Sequence, residues 1–195
     1  MSAAQSILFE ENSTPALIHV ASSAVFGASG MAISWKTPAS LFENLNAEFG
    51  FMVDVCASDW NHQCSKYWTV EQDGMAQEWE GVCWCNPPFD ASRGKWTEKA
   101  WLSAQRGCTV VVLLAVNATE DTEWWHCYAT RSSEIRYVRG RPEFIGVNGA
   151  KVAMRCVLLV MRPGCKGPPL VSSVDKHGRV YAPNDKLTDA GQQKP

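Results

Sequence analysis

The sequence predicts an α/β protein with a mostly parallel sheet, covered by helices on both faces in three layers. Apolar stretches of strand character alternate along the chain with stretches of helical periodicity, which is the order typical of this class. Residues 108–116 are nearly all apolar, as in a central strand that is buried on both faces. Two late strand-like segments lie close together in sequence and predict an antiparallel pair within the sheet.

Length and composition indicate one folded domain between two flexible ends. A chain of 195 residues, of which 46% are hydrophobic, can bury a sizeable core. Residues 1–30 are rich in Ser, Ala and Gly and predict a flexible leader, whereas residues 31–163 hold the periodic segments of one domain. Pro, Gly, Lys and Asp dominate residues 164–195, which predicts a flexible C-terminal tail.

The same composition disfavours several protein classes. No stretch is long and apolar enough to span a bilayer, and the N-terminus lacks the basic region of a signal peptide, so we expect a cytoplasmic protein without a membrane partner. The eight cysteines form no C-x-x-C pair, which predicts buried reduced thiols and no metal site. The chain contains neither G-x-G-x-x-G nor a P-loop motif, so a dinucleotide-binding Rossmann enzyme and a P-loop NTPase are both disfavoured.

The charge is distributed unevenly along the chain. Residues 1–89 carry two Lys/Arg against ten Asp/Glu, residues 90–165 carry eleven against seven, and residues 166–195 carry five against three. An acidic first half and a basic second half suit a small cationic cofactor on one side and a polyanion on the other. Charge drift that is unrelated to any ligand is the alternative.

The first half of the chain predicts one helix and three strands. Thr37 is a candidate N-cap with Pro38 at the first helical position, and the helix runs to about Glu48 before Gly50 stops it. Apolar strands follow at residues 51–57, 66–70 and 82–85. Asp54 lies at or near the carboxyl end of the first of these strands, where a side chain can reach a ligand in an open α/β sheet.

The second half predicts two helices and three strands. The helices lie at about residues 96–105 and 122–130, and the central strand lies between them. Polar loops are expected at residues 90–95 and 117–121, and the late strands cover residues 134–138 and 152–161.

The strand at residues 82–85 ends in Asn86-Pro87-Pro88-Phe89. Two prolines have no N–H and a fixed φ, so the strand cannot continue and the backbone becomes rigid where it stops. Asn86 offers a carbonyl acceptor, Pro87 a backbone carbonyl, and Phe89 a flat stacking surface. These groups can hold a planar amine, although an ordinary strand-ending turn has the same local sequence.

Five segments together resemble the phage-type (Dam-like) DNA adenine-N6 methyltransferases over residues 35–163. They are W-x-T-P from Trp35, F-x-x-D-V-C-A-S from Phe51, Y-W-T-x-E-x-D-G-M from Tyr67, W-x-G-V-x-W-C-N-P-P-F from Trp79, and Gly-Arg-x-x-Phe from Gly140. The resemblance implies the Rossmann-like fold of S-adenosylmethionine-dependent methyltransferases, S-adenosylmethionine as methyl donor, and DNA as partner. The chain departs from the broader superfamily in having no Gly-rich turn after Asp54.

The resemblance also implies which residues form the site. Asn86, Pro87, Pro88 and Phe89 match the [DN]-P-P-[YFW] catalytic motif. Thr37 and Pro38 resemble the segment against the methionine end of the donor, Asp54 the acidic residue near that end, and Asp73 the residue that accepts from the adenine amino group of the donor. The implied donor-binding set is Trp35, Thr37, Pro38, Asp54, Cys56, Ala57, Asp73, Gly74, Met75 and Asn86.

The chemistry of the motif agrees with amine methylation. If Asn86 Oδ1 and the Pro87 carbonyl accept both N6 hydrogens of adenine, they orient its lone pair and stabilise the positive charge that grows on N6. Phe89 is then expected to stack on the base, which must leave a duplex to be reached.

Four basic residues are candidates for contacts with DNA phosphates: Arg93, Lys95, Arg139 and Arg141. Arg136 is a fifth basic residue that could do the same, and solvated surface charge is the alternative for each. Other interpretations of the whole chain are also open. N-P-P-[YF] occurs in enzymes that methylate an RNA base amine or a protein glutamine amide, and a nucleic-acid-binding module could retain the fold without catalysis.

Overall fold

The computed structural model describes residues 35–116 and 119–181. The predicted flexible leader and residues 182–195 of the predicted tail lie outside the described residues. The described secondary structure consists of β1 (Trp35–Lys36), α1 (Ala39–Phe49), β2 (Val53–Asp54), β3 (Lys66–Tyr67), β4 (Val82–Cys85), α2 (Arg93–Gln105), β5 (Thr109–Ala115), α3 (Glu123–Cys127), a 3-10 turn (Ala129–Arg131), β6 (Glu134–Arg139), β7 (Glu143–Gly146), β8 (Lys151–Ala153), β9 (Cys156–Met161) and β10 (Leu170–Asp175).

The main sheet has seven strands in the order β10-β6-β9-β5-β4-β2-β3. Every neighbouring pair is parallel except the two that involve β9, which runs antiparallel to both β5 and β6. The prediction of a mixed α/β protein with a mostly parallel sheet and a late antiparallel pair is confirmed. The assignment to a three-layer Rossmann-like fold remains a prediction.

Strand β5 separates two hydrophobic clusters. Its side chains at Val110, Val112 and Leu114 pack in one cluster with Ala100 and Ala104 of α2. Val111 and Leu113 point the other way and pack in a second cluster that includes Leu41 and Leu45 of α1. Because successive side chains of a strand alternate between faces, an apolar strand of this kind is buried on both sides, as its sequence predicted.

The sequence predicted the C-terminal end of helix α1 correctly but not its N-cap. Gly50 ends the helix in the left-handed conformation with φ 66°, as predicted. The N-cap prediction is wrong, because Pro38 occupies the N-cap position and its carbonyl accepts from Leu41 and Phe42. The Thr37 hydroxyl is instead directed to Asn86.

Helix α2 begins at Arg93, so the expected polar loop over residues 90–95 is partly helical. Asp90 Oδ1 accepts from both the backbone nitrogen and the hydroxyl of Ser92, which anchors the chain just before the helix. Gly94 packs on Trp124, and a Cβ at this position would lie 2.7 Å from that ring. A glycine among polar residues is typical of a loop in a sequence. Here Gly94 lies in helix α2 and lets the helix approach Trp124 closely.

The C-terminal segment contradicts the flexible-tail prediction over residues 170–178. Strand β10 pairs with β6 from Leu170 to Asp175, and Val174 is fully buried. The following turn packs on α1, where the His177 carbonyl accepts from Asn44 Nδ2. Ser172 and Ser173 are polar, so the segment lacks the apolar pattern of a strand in the sequence. Its pairing partners lie more than 30 residues away, and local sequence does not indicate them.

A second sheet of three strands has the order β1-β7-β8, and local sequence did not predict it. Trp35 pairs with Gly146 and Lys36 with Ile145. This pairing joins the segment before α1 to the hairpin of β7 and β8. It also places the Trp35 carbonyl within hydrogen-bond distance of Asn86.

Candidate active site

Asn86 is the first residue after β4 and stands at the carboxyl edge of the main sheet. Strands β2, β4 and β5 are parallel, so Asp54 and Asn86 both lie at this edge. Ligands of open α/β sheets bind at this edge, so both residues lie where the sequence analysis expected.

The side chain of Asn86 is fixed from one side and open on the other. Its Nδ2 donates to the Trp35 carbonyl over 3.3 Å and to Thr37 Oγ1 over 3.1 Å. A backbone carbonyl can only accept, so this nitrogen assignment is determined by the partners. Asn86 Oδ1 is buried and has no hydrogen-bond partner in the described part of the chain. Leaving a buried acceptor unpaired costs about 1–3 kcal/mol, which points to a ligand that supplies the missing donor.

Phe89 is held by the second sheet. Its ring meets the ring of Phe144 edge-on, with centroids 5.1 Å apart and planes inclined by 78°. Phe144 lies on β7 and is fully buried, so it gives Phe89 a rigid support. Pro87 is buried and Pro88 half-buried, which leaves the tetrapeptide little freedom.

Asp54 organises the loop that follows β2. Only 2% of the residue is exposed, and its two carboxylate oxygens accept from the backbone nitrogens of Cys56 and Gln63. Desolvation by burial raises the pKa of Asp54 to about 7, and these two hydrogen bonds oppose the rise without cancelling it. Burial and the nearby Asp54 also raise the pKa of Cys56, so this thiol remains neutral.

The Asp54→Asn substitution should remove a pH dependence of folding stability. A carboxyl group whose pKa is about 7 when folded and 3.8 when unfolded favours the folded state at acidic pH, and this contribution is lost as pH rises from about 4 to about 7. We therefore expect the free energy of unfolding of D54N, relative to that of the unsubstituted protein, to rise by up to a few kcal/mol over this range. Urea unfolding at pH 4.5, 5.5, 6.5 and 7.5 measures the difference, and a difference that does not change with pH would contradict the raised pKa.

The turn at residues 73–75 packs against the end of β2. Asp73 has a positive φ of 51°, and its Oδ1 accepts from the Met75 backbone nitrogen. A Cβ on Gly74 would lie 2.1 Å from the Val55 carbonyl oxygen, so the turn approaches the strand as closely as a glycine allows. The Gly74 carbonyl also accepts from Trp79 Nε1 over 2.7 Å. The predicted donor residues Asp54, Cys56, Ala57 and Asp73–Met75 are thereby gathered on neighbouring segments.

Comparison with known protein families agrees with this geometry. The model of the DNA N-6-adenine-methyltransferase (Dam) family matches residues 31–190. The chain belongs to this family.

Two individual relatives match shorter parts of the chain. A DNA N-6-adenine-methyltransferase of Haemophilus phage HP1 (strain HP1c1) is 30% identical over an alignment of 107 residues, and the match covers 53% of this chain and 61% of the phage protein. The YfdM protein of Escherichia coli (strain K12), which carries a provisional methyltransferase name, is 32% identical over an alignment of 63 residues, and the match covers 28% of this chain and 69% of that protein. The chain thus aligns with about three fifths of the phage relative.

The five basic residues proposed for DNA contact in this Dam-family chain differ in their surroundings. Arg136 was a candidate for phosphate contact, but it is 6% exposed and forms a bidentate pair with Glu48 and a further pair with Glu134, so it belongs to an internal ion network. Arg93 donates to the Ala115 carbonyl over 3.1 Å, and the Arg139 guanidinium lies 4.6 Å from the centroid of the Tyr181 ring. Lys95 and Arg141 are exposed.

Arg155 is a basic residue that the sequence analysis did not single out. It lines a cavity of about 450 Å³ together with Arg141 and residues 152–154. Its carbonyl accepts from the Val116 nitrogen just beyond β5, so the cavity lies at the same carboxyl edge as Asn86. Only its position between β8 of the second sheet and β9 of the main sheet distinguishes it, and a single sequence does not reveal that.

In the described residues, no helix is both long and apolar enough to cross a membrane. The same residues contain no group of three or more His, Cys, Asp or Glu side chains that could hold a metal ion. All eight cysteines are free thiols, six of them buried.

Proposed function

We propose that this protein transfers a methyl group from S-adenosylmethionine to the N6 amino group of adenine in DNA. The observation that carries the proposal is the buried Asn86 Oδ1, which lacks a partner in the described chain and stands at the ligand-binding edge of the sheet. An amine that donates one hydrogen bond would satisfy this acceptor. Membership of the Dam family supports adenine as the carrier of that amine.

Asn86 and Pro87 orient the amine for reaction. The N6 lone pair of adenine is delocalised into the ring, so the nitrogen is a poor nucleophile. When Asn86 Oδ1 and the Pro87 carbonyl each accept an N6 hydrogen, the lone pair is directed away from them and toward the methyl group. Positive charge grows on N6 during transfer, so fixed acceptors stabilise the transition state more than the ground state. The methylated nitrogen is acidic and loses its proton without a strong base.

The residues gathered around Asp73 fit a bound S-adenosylmethionine. Asp73 is half-exposed, and its Oδ2 has no hydrogen-bond partner in the described chain, so it can accept from the adenine amino group of the donor. The bound donor supplies an electrophilic methyl group. Asp54 is buried, so we propose that it acts through the backbone of Cys56 and Gln63, shaping a loop where the chain has no Gly-rich turn.

The target adenine must leave the DNA stack to reach this site. Asn86 Oδ1 is buried at the edge of the sheet, and an edge of this kind cannot approach N6 inside a duplex. Phe89 is half-buried and braced by Phe144, so it is suited to stack on the extruded base. We propose base flipping on these grounds.

Arg141 and Arg155 are proposed to hold the DNA backbone beside the site. Both are exposed, neither has an ion-pair partner among the described residues, and both line the cavity at the carboxyl edge. Lys95 adds a third exposed charge in the first turn of α2. Phosphate contacts of this kind position DNA without reading its sequence.

Replacing both arginines should weaken DNA binding and its dependence on salt. We expect R141A/R155A to bind a duplex about tenfold or more weakly at 100 mM salt, with the slope of log K against log [salt] reduced by about 2. Fluorescence anisotropy with a labelled duplex measures both quantities. R106A/K166A is the matched control, because these exposed cations lie near the opposite edge of the sheet, beyond α2 and β9. An equal loss in the control would contradict the proposed surface.

The function itself is tested by methyl transfer from labelled S-adenosylmethionine. The acceptors are an adenine-containing DNA duplex, a duplex of G·C pairs only, an RNA of the same sequence, and a glutamine-containing protein mixture. We expect label only in adenine-containing DNA, as N6-methyladenine. Label in RNA or protein alone would establish one of the other acceptor classes, and no transfer to any DNA would refute the proposal.

A further inference from the structure

The Asn86 amide is oriented by groups that lie about fifty residues earlier in the chain. Its two Nδ2 hydrogens have two acceptors, the Trp35 carbonyl at 3.3 Å and Thr37 Oγ1 at 3.1 Å. Thr37 is only 3% exposed, so no solvent competes for this contact. With both donors satisfied on one side, the carbonyl end of the amide must point the other way.

The Trp35 carbonyl is itself held from several directions. It also accepts from Asn61 Nδ2 over 3.3 Å, and Asn61 Oδ1 accepts from the backbone nitrogen of Ser58. Pairing of β1 with β7 fixes the backbone on either side of this carbonyl. The loop after β2, the second sheet and the end of β4 therefore meet at one backbone oxygen.

We propose that Thr37 and the Trp35 carbonyl are positioning groups that direct Asn86 Oδ1 toward the acceptor amine, and that the Trp35 carbonyl makes the site selective for an amide over a carboxylate at position 86. The selectivity follows from what each group can donate. The catalytic motif that this chain resembles admits either residue, but a carboxylate at position 86 would place an oxygen against the Trp35 carbonyl, which has no hydrogen to offer. The expected effect on methyl transfer rests on the proposed function. The orientation of residue 86 can be measured whether or not that function is correct.

Protonation is the way in which an aspartic acid could replace the amide. A protonated carboxyl group donates to the Trp35 carbonyl and leaves its other oxygen toward the acceptor, as Asn86 does. Other titratable groups at this edge are Asp54 at the end of β2, the thiols of Cys56 and Cys85, and Asp90 after the motif. Two nearby cations are engaged elsewhere, Lys36 over the Trp60 ring and Arg93 at the Ala115 carbonyl. Burial of the oxygen at position 86 also disfavours a carboxylate there.

The first test compares Thr37→Val with Thr37→Ser. Valine removes the acceptor at nearly constant volume, and serine keeps it. We expect T37V to lower the single-turnover rate of methyl transfer about 10- to 100-fold at saturating donor, with donor affinity changed less than threefold, and T37S to recover most of the rate. Thr97→Val is the matched control, since Thr97 is fully buried and bonds only to the Arg93 carbonyl within α2. A T37V variant that loses donor affinity but not rate would overturn the positioning role.

The second test titrates Asn86→Asp. Carbon-13 NMR should give the carboxyl group introduced by N86D a pKa of about 6 or higher, against a usual value of about 4 for an aspartic acid. Methyl transfer by N86D should increase as pH falls, whereas we expect no such rise for the unsubstituted protein. A pKa at or below the usual value would refute the orientation proposed here, whether or not the protein methylates DNA. If the unsubstituted protein transfers no methyl group while the introduced carboxyl group still titrates high, the proposed function fails and the orientation stands.

Discussion

Substitution of Asn86 by alanine is expected to reduce methyl transfer about 10³-fold while S-adenosylmethionine still binds. The change removes the acceptor Oδ1, which is buried and unpartnered in the described chain and is the group that we propose holds N6. Loss of one pre-oriented group that stabilises developing charge typically costs about 10²–10³ in rate, and here the same group also positions the nucleophile. Single-turnover transfer to a DNA duplex measures the rate, and calorimetric titration measures donor affinity.

The stability of N86A should change by no more than about 1 kcal/mol, because two effects oppose each other. The substitution breaks the hydrogen bonds to the Trp35 carbonyl and Thr37, but it also removes an unpaired buried oxygen. Asn44→Ala is a suitable control, since Asn44 is an exposed amide of α1 that bonds only to the Ser40 and His177 carbonyls. Transfer by N86A within tenfold of the unsubstituted protein would show that residue 86 does not hold the amine.

Gly74→Ala should damage both folding and donor binding. Its Cβ would lie 2.1 Å from the Val55 carbonyl oxygen, and this backbone atom cannot move aside as the end of a flexible side chain could. Overpacking of this kind costs about 1–3 kcal/mol, and the turn can relieve it only by moving away from β2. Asp73 moves with that turn, so we expect affinity for S-adenosylmethionine to fall at least tenfold.

Gly50→Ala separates these two effects. Gly50 has φ 66° and no atom within 4 Å of the position of a Cβ, so alanine there is strained by its backbone alone, at a cost of about 1 kcal/mol. Gly50 lies at the end of α1, away from the residues proposed to bind S-adenosylmethionine, so the G50A variant should retain its affinity for this donor. Urea unfolding and calorimetry on both variants give the comparison. A G74A protein with unchanged donor affinity would exclude the Asp73 turn from the donor site.

Much of the fold could be predicted where a pattern is local. The apolar run that forms β5 and the left-handed Gly50 that ends α1 each depend on neighbours within a few residues. The late antiparallel pair of β6 and β9 was also predictable, because the two segments lie close in sequence. Strand β10 was not, since its alternation is interrupted by two serines and its burial depends on α1.

The site residues also divide into those that local motifs predicted and those that depend on distant partners. Asn86 to Phe89, Asp54 and Asp73 were identified from their motifs, and the structure brings the segments that carry them to one edge of the sheet. Arg136 was misjudged because its partner Glu48 is 88 residues away, and a guanidinium in a sequence does not reveal whether a carboxylate faces it. Arg155 was missed for the related reason that its exposure depends on how the segment between β8 and β9 packs.

The sequence by itself determined that a rigid turn ends β4, because proline imposes its φ and lacks an N–H wherever it stands. It also determined the family, because five motifs in a fixed order are a property of the chain. Only the tertiary structure decided which end of the Asn86 amide is free and that Asp54 is buried beneath its loop. The orientation of the Asn86 amide and the burial of Asp54 both depend on residues that are distant in sequence. The direction of a hydrogen bond is decided only when the fold brings donor and acceptor together.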